Sequence, residues 1–258
     1  YMPVSRMSGN IAFDNVSFAY IDEQWVLKNV SFEIKKGETV AIVGHTGSGK
    51  TTIISLLNRF YAIQKGVISI DGIDIKTLSP EYLRRNIGLV LQDVFLFSGS
   101  IMDNITLRNP EIPAEKVVAA AKMIDMHEFI MQLPGGYDYN VKERGATLSL
   151  GQRQLISFIR ALLYDPFILI LDEATSSIDT ESEMLIQKAT EMLIRGRTSI
   201  IIAHRLSTIR KADKIIVLDK GVLVESGTHD ELLAKGGFYA RLHKMQFQKQ
   251  QELGSFVP

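Results

Sequence analysis

Residues 39–51 read Thr-Val-Ala-Ile-Val-Gly-His-Thr-Gly-Ser-Gly-Lys-Thr, and no other stretch narrows the possible folds so far. The run 39–43 is short, apolar and β-branched, as a buried strand is, and 52–57 (Thr-Ile-Ile-Ser-Leu-Leu) opens a helix. Between them Gly44, His45, Thr46, Gly47, Ser48, Gly49, Lys50 and Thr51 fit G-x-x-x-x-G-K-[ST], with Thr52 following on the helix. In such a loop the backbone N–H groups wrap phosphate oxygens, the lysine reaches the β/γ-phosphates, and the hydroxyl, here of Thr51, takes a Mg²⁺ position. The helix N-terminus beneath adds a field that favours anions. A Gly-rich structural turn is the bland alternative. It explains neither the lysine nor the strand and helix on either side.

Further apolar runs at 66–70, 87–91, 167–171 and 198–203 read as strands, and 178–194 as a helix between the last two. Strands alternating with helices, and apolar on both faces, predict a parallel α/β sheet. The start differs: 11–20 and 27–34 read as antiparallel strands, the second closed by Lys35-Lys36-Gly37-Glu38, and a final hairpin, 214–218 with 222–225, turns on Asp219-Lys220-Gly221. From 93 to 165 no convincing strand is present, and 113–123, 126–133 and 149–163 read as helices, an insertion into the α/β core. The expected division is a linker remnant at 1–10, a core at 11–92 and 164–240, the helical insertion at 93–163 and a polar, Gln-rich tail at 241–258. Because the chain opens on Tyr1 rather than Met, it reads as a piece excised from a longer polypeptide.

Composition excludes several classes. Lys and Arg number 29 against 29 Asp and Glu, so no net field draws the chain to nucleic acid, and with no cysteine there are neither disulfides nor thiolate metal sites. No apolar run approaches the ~18 residues that cross a bilayer.

In a parallel sheet, ligands gather at the carboxyl ends of the strands. There Val43 leads to Gly44, Leu91 to Gln92, Leu171 to Asp172-Glu173, and Ala203 to His204. An acid after a buried strand suits a Mg²⁺ held opposite Thr51, which assigns Asp172. The next carboxylate, Glu173, is placed to orient or deprotonate an attacking water. His204 at a strand end suits a contact to the γ-phosphate or that water. Gln92 binds Mg²⁺ or water, or only caps a turn. Tyr20 either stacks on a nucleobase or simply ends its strand. Leu148-Ser149-Leu150-Gly151-Gln152 is equally two-sided: Ser149 and Gln152 form a capping box before the stripe Leu155, Ile159, Leu162, and the same geometry offers an anion a hydroxyl and free N–H groups.

Together the phosphate loop, Gln92, residues 148–152, Asp172-Glu173, Ser177-Ile178-Asp179 and His204 resemble, in order and spacing, the nucleotide-binding domain of exporter-type ABC transporters, a P-loop (RecA-like) ATPase core. Gln92-Asp93-Val94-Phe95-Leu96-Phe97-Ser98-Gly99-Ser100-Ile101 and Glu143-Arg144-Gly145 are similar to exporter segments. The resemblance implies ATP and Mg²⁺ as ligands. It makes Tyr20 the adenine-stacking ring, Gln92 a nucleotide sensor coupled to a membrane domain, Glu173 the catalytic base and His204 the γ-phosphate switch. Ser149 and Gly151, with Gln152 beside them, would serve ATP held by a second nucleotide-binding domain, with Asp179 communicating between the two sites. Transmembrane domains of the same or a partner chain would hold the domain at the cytoplasmic face of a membrane, and no nucleic-acid partner is expected. A soluble ABC-type ATPase of DNA repair or translation is the rival; the coiled-coil insertion or second ATPase domain usual there is not seen in this sequence. One departure stands out. The family signature reads Leu-Ser-Gly-Gly-Gln, and its third position here is Leu150, where a bulky side chain could crowd the partner's nucleotide or restrict the backbone. With Glu173 intact, that departure suggests one half of a heterodimer with one degenerate site; a homodimer with a substituted signature is the alternative.

Overall fold

The computed structural model describes residues 7–173 and 180–245. In chain order the elements are β1 (Ile11–Ala19), β2 (Trp25–Ile34), β3 (Thr39–Val43), α1 (Lys50–Leu57), β4 (Lys65–Ile70), β5 (Ile73–Asp74), α2 (Pro80–Arg85), β6 (Ile87–Val90), α3 (Ile101–Thr106), α4 (Ala114–Met123), α5 (His127–Gln132), α6 (Leu150–Tyr164), β7 (Ile168–Asp172), α7 (Thr180–Ile194), β8 (Thr198–Ile202), α8 (Leu206–Lys211), β9 (Lys214–Asp219), β10 (Val222–Gly227) and α9 (His229–Lys235). By compactness the chain forms two units, Tyr1–Arg84 with Thr198–Pro258, and Arg85–Arg197. The division at 93 and 163 expected from sequence order groups the chain differently, leaving β6, β7 and α7 with the core.

The first unit holds two sheets. One is antiparallel in the order β2-β1-β4-β5. Its register places Phe13 opposite Phe32, whose rings stack at 4.5 Å, and the ladder shifts at bulges around Asn15 and Asn29, both at positive φ. In the other, β3 runs parallel to β8 on one side and to β9 on the other, with β10 antiparallel to β9. All five residues of β3 and of β8 are buried, the pattern of strands covered on both faces. Val222 pairs with Asp219, so the β9–β10 turn is Lys220-Gly221, with φ of 46° and 82°, as a two-residue hairpin turn requires.

In the second unit β6 and β7 pair in parallel, Ile87 opposite Ile168 through Val90 opposite Leu171. The remaining described residues are helical or irregular apart from a single bridge, Ser100 with Asn140. The amphipathic α6 buries Leu155, Ile156, Phe158 and Ile159 and packs on α3, α4 and α7.

The phosphate loop and its candidate partners

Within the first unit, β3 ends at Val43 and α1 begins at Lys50, and the six residues between them fold into a cradle. Gly44 is buried at φ 156°, and a Cβ there would run into the carbonyl oxygen of Leu218 and crowd Ser48 Oγ, so no side chain fits. Gly47 and Gly49 hold φ of 79° and 106°, a region that side-chain-bearing residues rarely enter. Lys50 is buried, and its Nζ donates to the carbonyls of Gly44 (2.7 Å) and His45 (2.9 Å), tying the loop across its mouth. The Ser48 N–H donates to the same His45 carbonyl at 3.1 Å, and the Gly221 N–H of the β9–β10 turn donates to Ser48 O at 3.1 Å. Ser48 Oγ, in contrast, is buried with no hydrogen-bond partner among the described residues. Such an atom is costly unless something else pairs with it. A buried ammonium, an orphaned hydroxyl and helix-terminal N–H groups fit a polyphosphate. His45, Thr46, Gly47 and Thr51 are exposed around this cradle.

Two predicted partners lie in the same unit. β3 and β8 are parallel, so His204, two residues beyond the end of β8, leaves the sheet at the same edge as Gly44. Burial, and then the Lys50 charge, hold the His204 imidazole below its ordinary pKa. Tyr20 follows β1, 47% exposed, with its Oη 3.2 Å from the Oγ1 of buried Thr52 on α1. Its ring stands edge-on to Phe18 (4.7 Å) and Tyr61 (5.0 Å). Gln64 fixes the preceding residue at two points, accepting from Ala19 N–H at 3.2 Å and donating to Ala19 C=O at 2.7 Å. Neither Tyr61 nor Gln64 was read from the sequence as part of the site. Tyr61 had a signal, an aromatic just past the helix that opens at the loop, whereas Gln64 had none.

The second unit carries the others. Because β6 and β7 are parallel, Gln92 and the Asp172-Glu173 pair leave their strands at one edge, all three half-buried. Ser149 is the N-cap of α6: its Oγ accepts from Gln152 N–H at 3.2 Å and its own N–H donates to Gln152 Oε1 at 2.9 Å. The capping box therefore exists, and it consumes only the acceptor side of the hydroxyl; the Ser149 O–H proton is not used by it. Leu150 takes the first helical position in an ordinary right-handed conformation, so a leucine costs the backbone nothing there. Gly151 is buried on the next position. Asp179, with Ser177 and Ile178, lies outside the described residues.

Comparisons with known proteins agree with this picture. The family model described as ABC transporter matches residues 27–176, more than half of the chain. The chain is 56% identical over 242 residues to the uncharacterized ABC transporter ATP-binding protein YknV of Bacillus subtilis (strain 168), covering 94% of this chain and 40% of that protein. It is 52% identical over 241 residues to the Probable multidrug resistance ABC transporter ATP-binding/permease protein YheH of the same organism, covering 93% and 36%. A solved structure, that of a bacterial Atm1-family ABC exporter with ATP bound, superposes with a TM-score of 0.88 at 43% identity, covering 95% of this chain and 43% of the other. This chain thus spans about two fifths of the length of the relatives it matches. No helix among the described residues is long and apolar enough to cross a membrane. By family match, by identity and by fold, the chain belongs to the ABC transporters and is an ATP-binding ATPase domain of their exporter type.

Proposed function

We propose that the domain hydrolyses MgATP at a site shared by two nucleotide-binding domains, and that transmembrane domains elsewhere in the assembly convert closure and reopening of that pair into export. The observation that carries the reading is the cradle of the first unit: a buried Lys50 Nζ, an orphaned Ser48 Oγ and His204 at the neighbouring strand end. Lys50 and the loop N–H groups bind the β/γ-phosphates, and Tyr20 stacks on adenine. Thr51, Asp172 and Gln92 would hold Mg²⁺, which supplies charge neutralisation at the phosphates when bound. Thr51, Gln92 and Asp172 offer hydroxyl, amide and carboxylate oxygens, the donor types that Mg²⁺ takes. Glu173 orients the attacking water and accepts its proton as the new P–O bond forms at the γ-phosphorus and the bond to the β-phosphate oxygen breaks. His204 contacts the γ-phosphate as a neutral imidazole donor. Ser149 and Gly151, with Gln152 holding the cap and Asp179 between the sites, act on the nucleotide of the second domain. Substrate class is set by the transmembrane domains; the YheH name speaks of multidrug resistance, and drug export is the corresponding proposal for this chain.

Leu150 favours a heterodimer as a second reading. Its side chain is half-buried at the signature position that a glycine takes in the family pattern. One assay tests both. Glu173→Gln should keep ATP binding while turnover falls by at least about a hundredfold, the contribution usual for a positioned base; retained turnover removes Glu173 from that role. In the same assay, strong positive cooperativity of the unmodified chain alone, at a rate typical of a symmetric competent pair, would exclude the degenerate-site heterodimer.

A further inference from the structure

Residues 238–245 are helical, and their first turn is fastened to the rest of the first unit at three points. The Glu225 carboxylate of β10 accepts from the Phe238 N–H (2.9 Å) and the Tyr239 N–H (2.8 Å), capping the helix. Tyr239 is 1% exposed, and its Oη lies 2.7 Å from His229 Nδ1 at the start of α9. On the other side of that ring the Arg210 Nε–H donates to His229 Nε2 at 3.3 Å. Since a guanidinium can only donate, Nε2 accepts, the ring proton sits on Nδ1, and Tyr239 Oη receives it. Arg210 belongs to α8, which starts two residues after His204. The third point is on the phosphate loop. The Phe238 ring meets the His45 ring nearly perpendicular, centroids 5.7 Å apart, and the His45 carbonyl is the one that holds Lys50 Nζ and Ser48 N–H. Beside this contact is a cavity of about 350 Å³, lined also by Arg241, Leu242 and Met245. The loop and the helix therefore meet there at a discrete ring contact rather than through continuous packing.

We propose that Phe238 and Tyr239 are positioning residues for the ATP reaction, the helix at 238–245 bracing the phosphate loop through Phe238 and His45, and the helix behind His204 through Tyr239, His229 and Arg210. This rests on the assignment of the loop and of His204 to the nucleotide. The two arms act on different steps. Phe238 sets the loop that binds phosphates, so its loss weakens binding; Tyr239 sets α8 and with it His204, so its loss slows turnover.

The experiment measures MgATP dissociation by calorimetry, steady-state kcat and KM, and the nucleotide-free thermal midpoint, all on the full 258-residue chain. Phe238→Ala and Phe238→Leu should raise Kd and KM for MgATP about threefold to tenfold, the scale of one aromatic pair, with kcat little changed. Phe238→Tyr should restore both. Tyr239→Phe, which keeps the ring, should lower kcat about threefold to tenfold, the scale of one lost hydrogen bond, at unchanged KM. A lowered midpoint with wild-type Kd, KM and kcat in all these variants overturns the brace and leaves only a structural helix. If Phe238→Ala does not fold, Phe238→Leu and Tyr239→Phe decide alone. Lys50→Ala separates the two failures: if it leaves MgATP binding intact, the loop assignment itself is wrong, and if it abolishes binding while Phe238→Leu changes nothing, only the brace is.

Discussion

Tyr20, which we propose stacks on adenine, is held in place by its neighbours. Its hydroxyl is tied to Thr52, in the first turn of the helix that follows the phosphate loop, and its ring packs edge-on against both Phe18 and Tyr61. The backbone just before it is pinned by the Gln64 amide. The ring is thus held in place by its neighbours, so the proposed stacking on adenine would need little further ordering. Tyr20→Ala should weaken MgATP binding by about 1–3 kcal/mol, the range for a base on an aromatic ring, that is roughly fivefold to 150-fold in Kd. Tyr20→Phe, losing only the bond to Thr52, should cost much less. Equal losses in the two variants, read by calorimetry, would mean that the hydroxyl rather than the ring carries the interaction. The position of Tyr20 at a strand end was visible in the sequence because strand and loop were. The Gln64 clamp was not, since a glutamine 45 residues away leaves no periodicity or spacing that marks it.

At the scale of elements, the strands were read well because burial on both faces writes itself as an unbroken apolar run, as in β3, β7 and β8. The long α6 was legible for the matching reason, a capping box followed by a stripe. Of the six-residue helices, α5 was read within 126–133 but α2, α3 and α8 were not, because fewer than two turns give little 3.6-residue period to detect. Yet α3 organises the segment that follows Gln92. Asn104 is 1% exposed; its Oδ1 accepts from the Phe97 N–H (2.8 Å), and its Nδ2 donates to the carbonyls of Phe97 (2.9 Å) and Ser100 (3.0 Å). Arg160 of α6 reaches the same residue, donating to Asn104 O, with a further bond to Oδ1 at 3.3 Å. Burial, partly offset by Tyr164, brings the Arg160 pKa down to about 10, so the guanidinium remains charged at neutral pH and its bonds remain charge-assisted. Asn104→Ala strands several of these groups at once and should lower stability by about 2–4 kcal/mol, measured by denaturant unfolding. A loss below about 0.5 kcal/mol, the level of an ordinary surface change, would show that water replaces the amide without cost.

For the molecule as a whole, the shifted groups that titrate below neutral pH point one way. His204, His229 and His243, all in the first unit, are held below the ordinary histidine pKa: by burial in each case, then by Lys50 at His204, by Arg210 (partly countered by Asp230) at His229, and by His229 and Arg210 at His243. In the unfolded chain each takes a proton near pH 6.5, and in the folded chain only at lower pH. Between those points the unfolded state binds more protons, so stability is complete above about pH 6.5 and falls as pH drops through the lowered values. Asp71 acts in the same direction further down. Partial burial raises its pKa, but the Ser8 hydroxyl and the N–H groups of Asn10, Ser8 and Gly9 outweigh that and hold it at about 2, so its contribution is lost only below the ordinary 3.8. The nucleotide-free thermal midpoint should therefore be level above about pH 7 and decline from pH 6.5 to 5.5. On the proposed reading, a bound triphosphate changes one of these groups selectively. Its negative charge offsets the Lys50 charge that repels an imidazolium at His204, while His229 and His243 keep their own neighbours. MgATP binding near pH 6 should then take up a fraction of a proton, and saturating MgATP should make the pH decline shallower. Calorimetry in two buffers of different ionisation enthalpy reads the uptake directly, and His204→Gln should abolish it. Uptake that persists in that variant would place the coupled proton on another group, and zero uptake in the unmodified chain would put the γ-phosphate out of reach of His204.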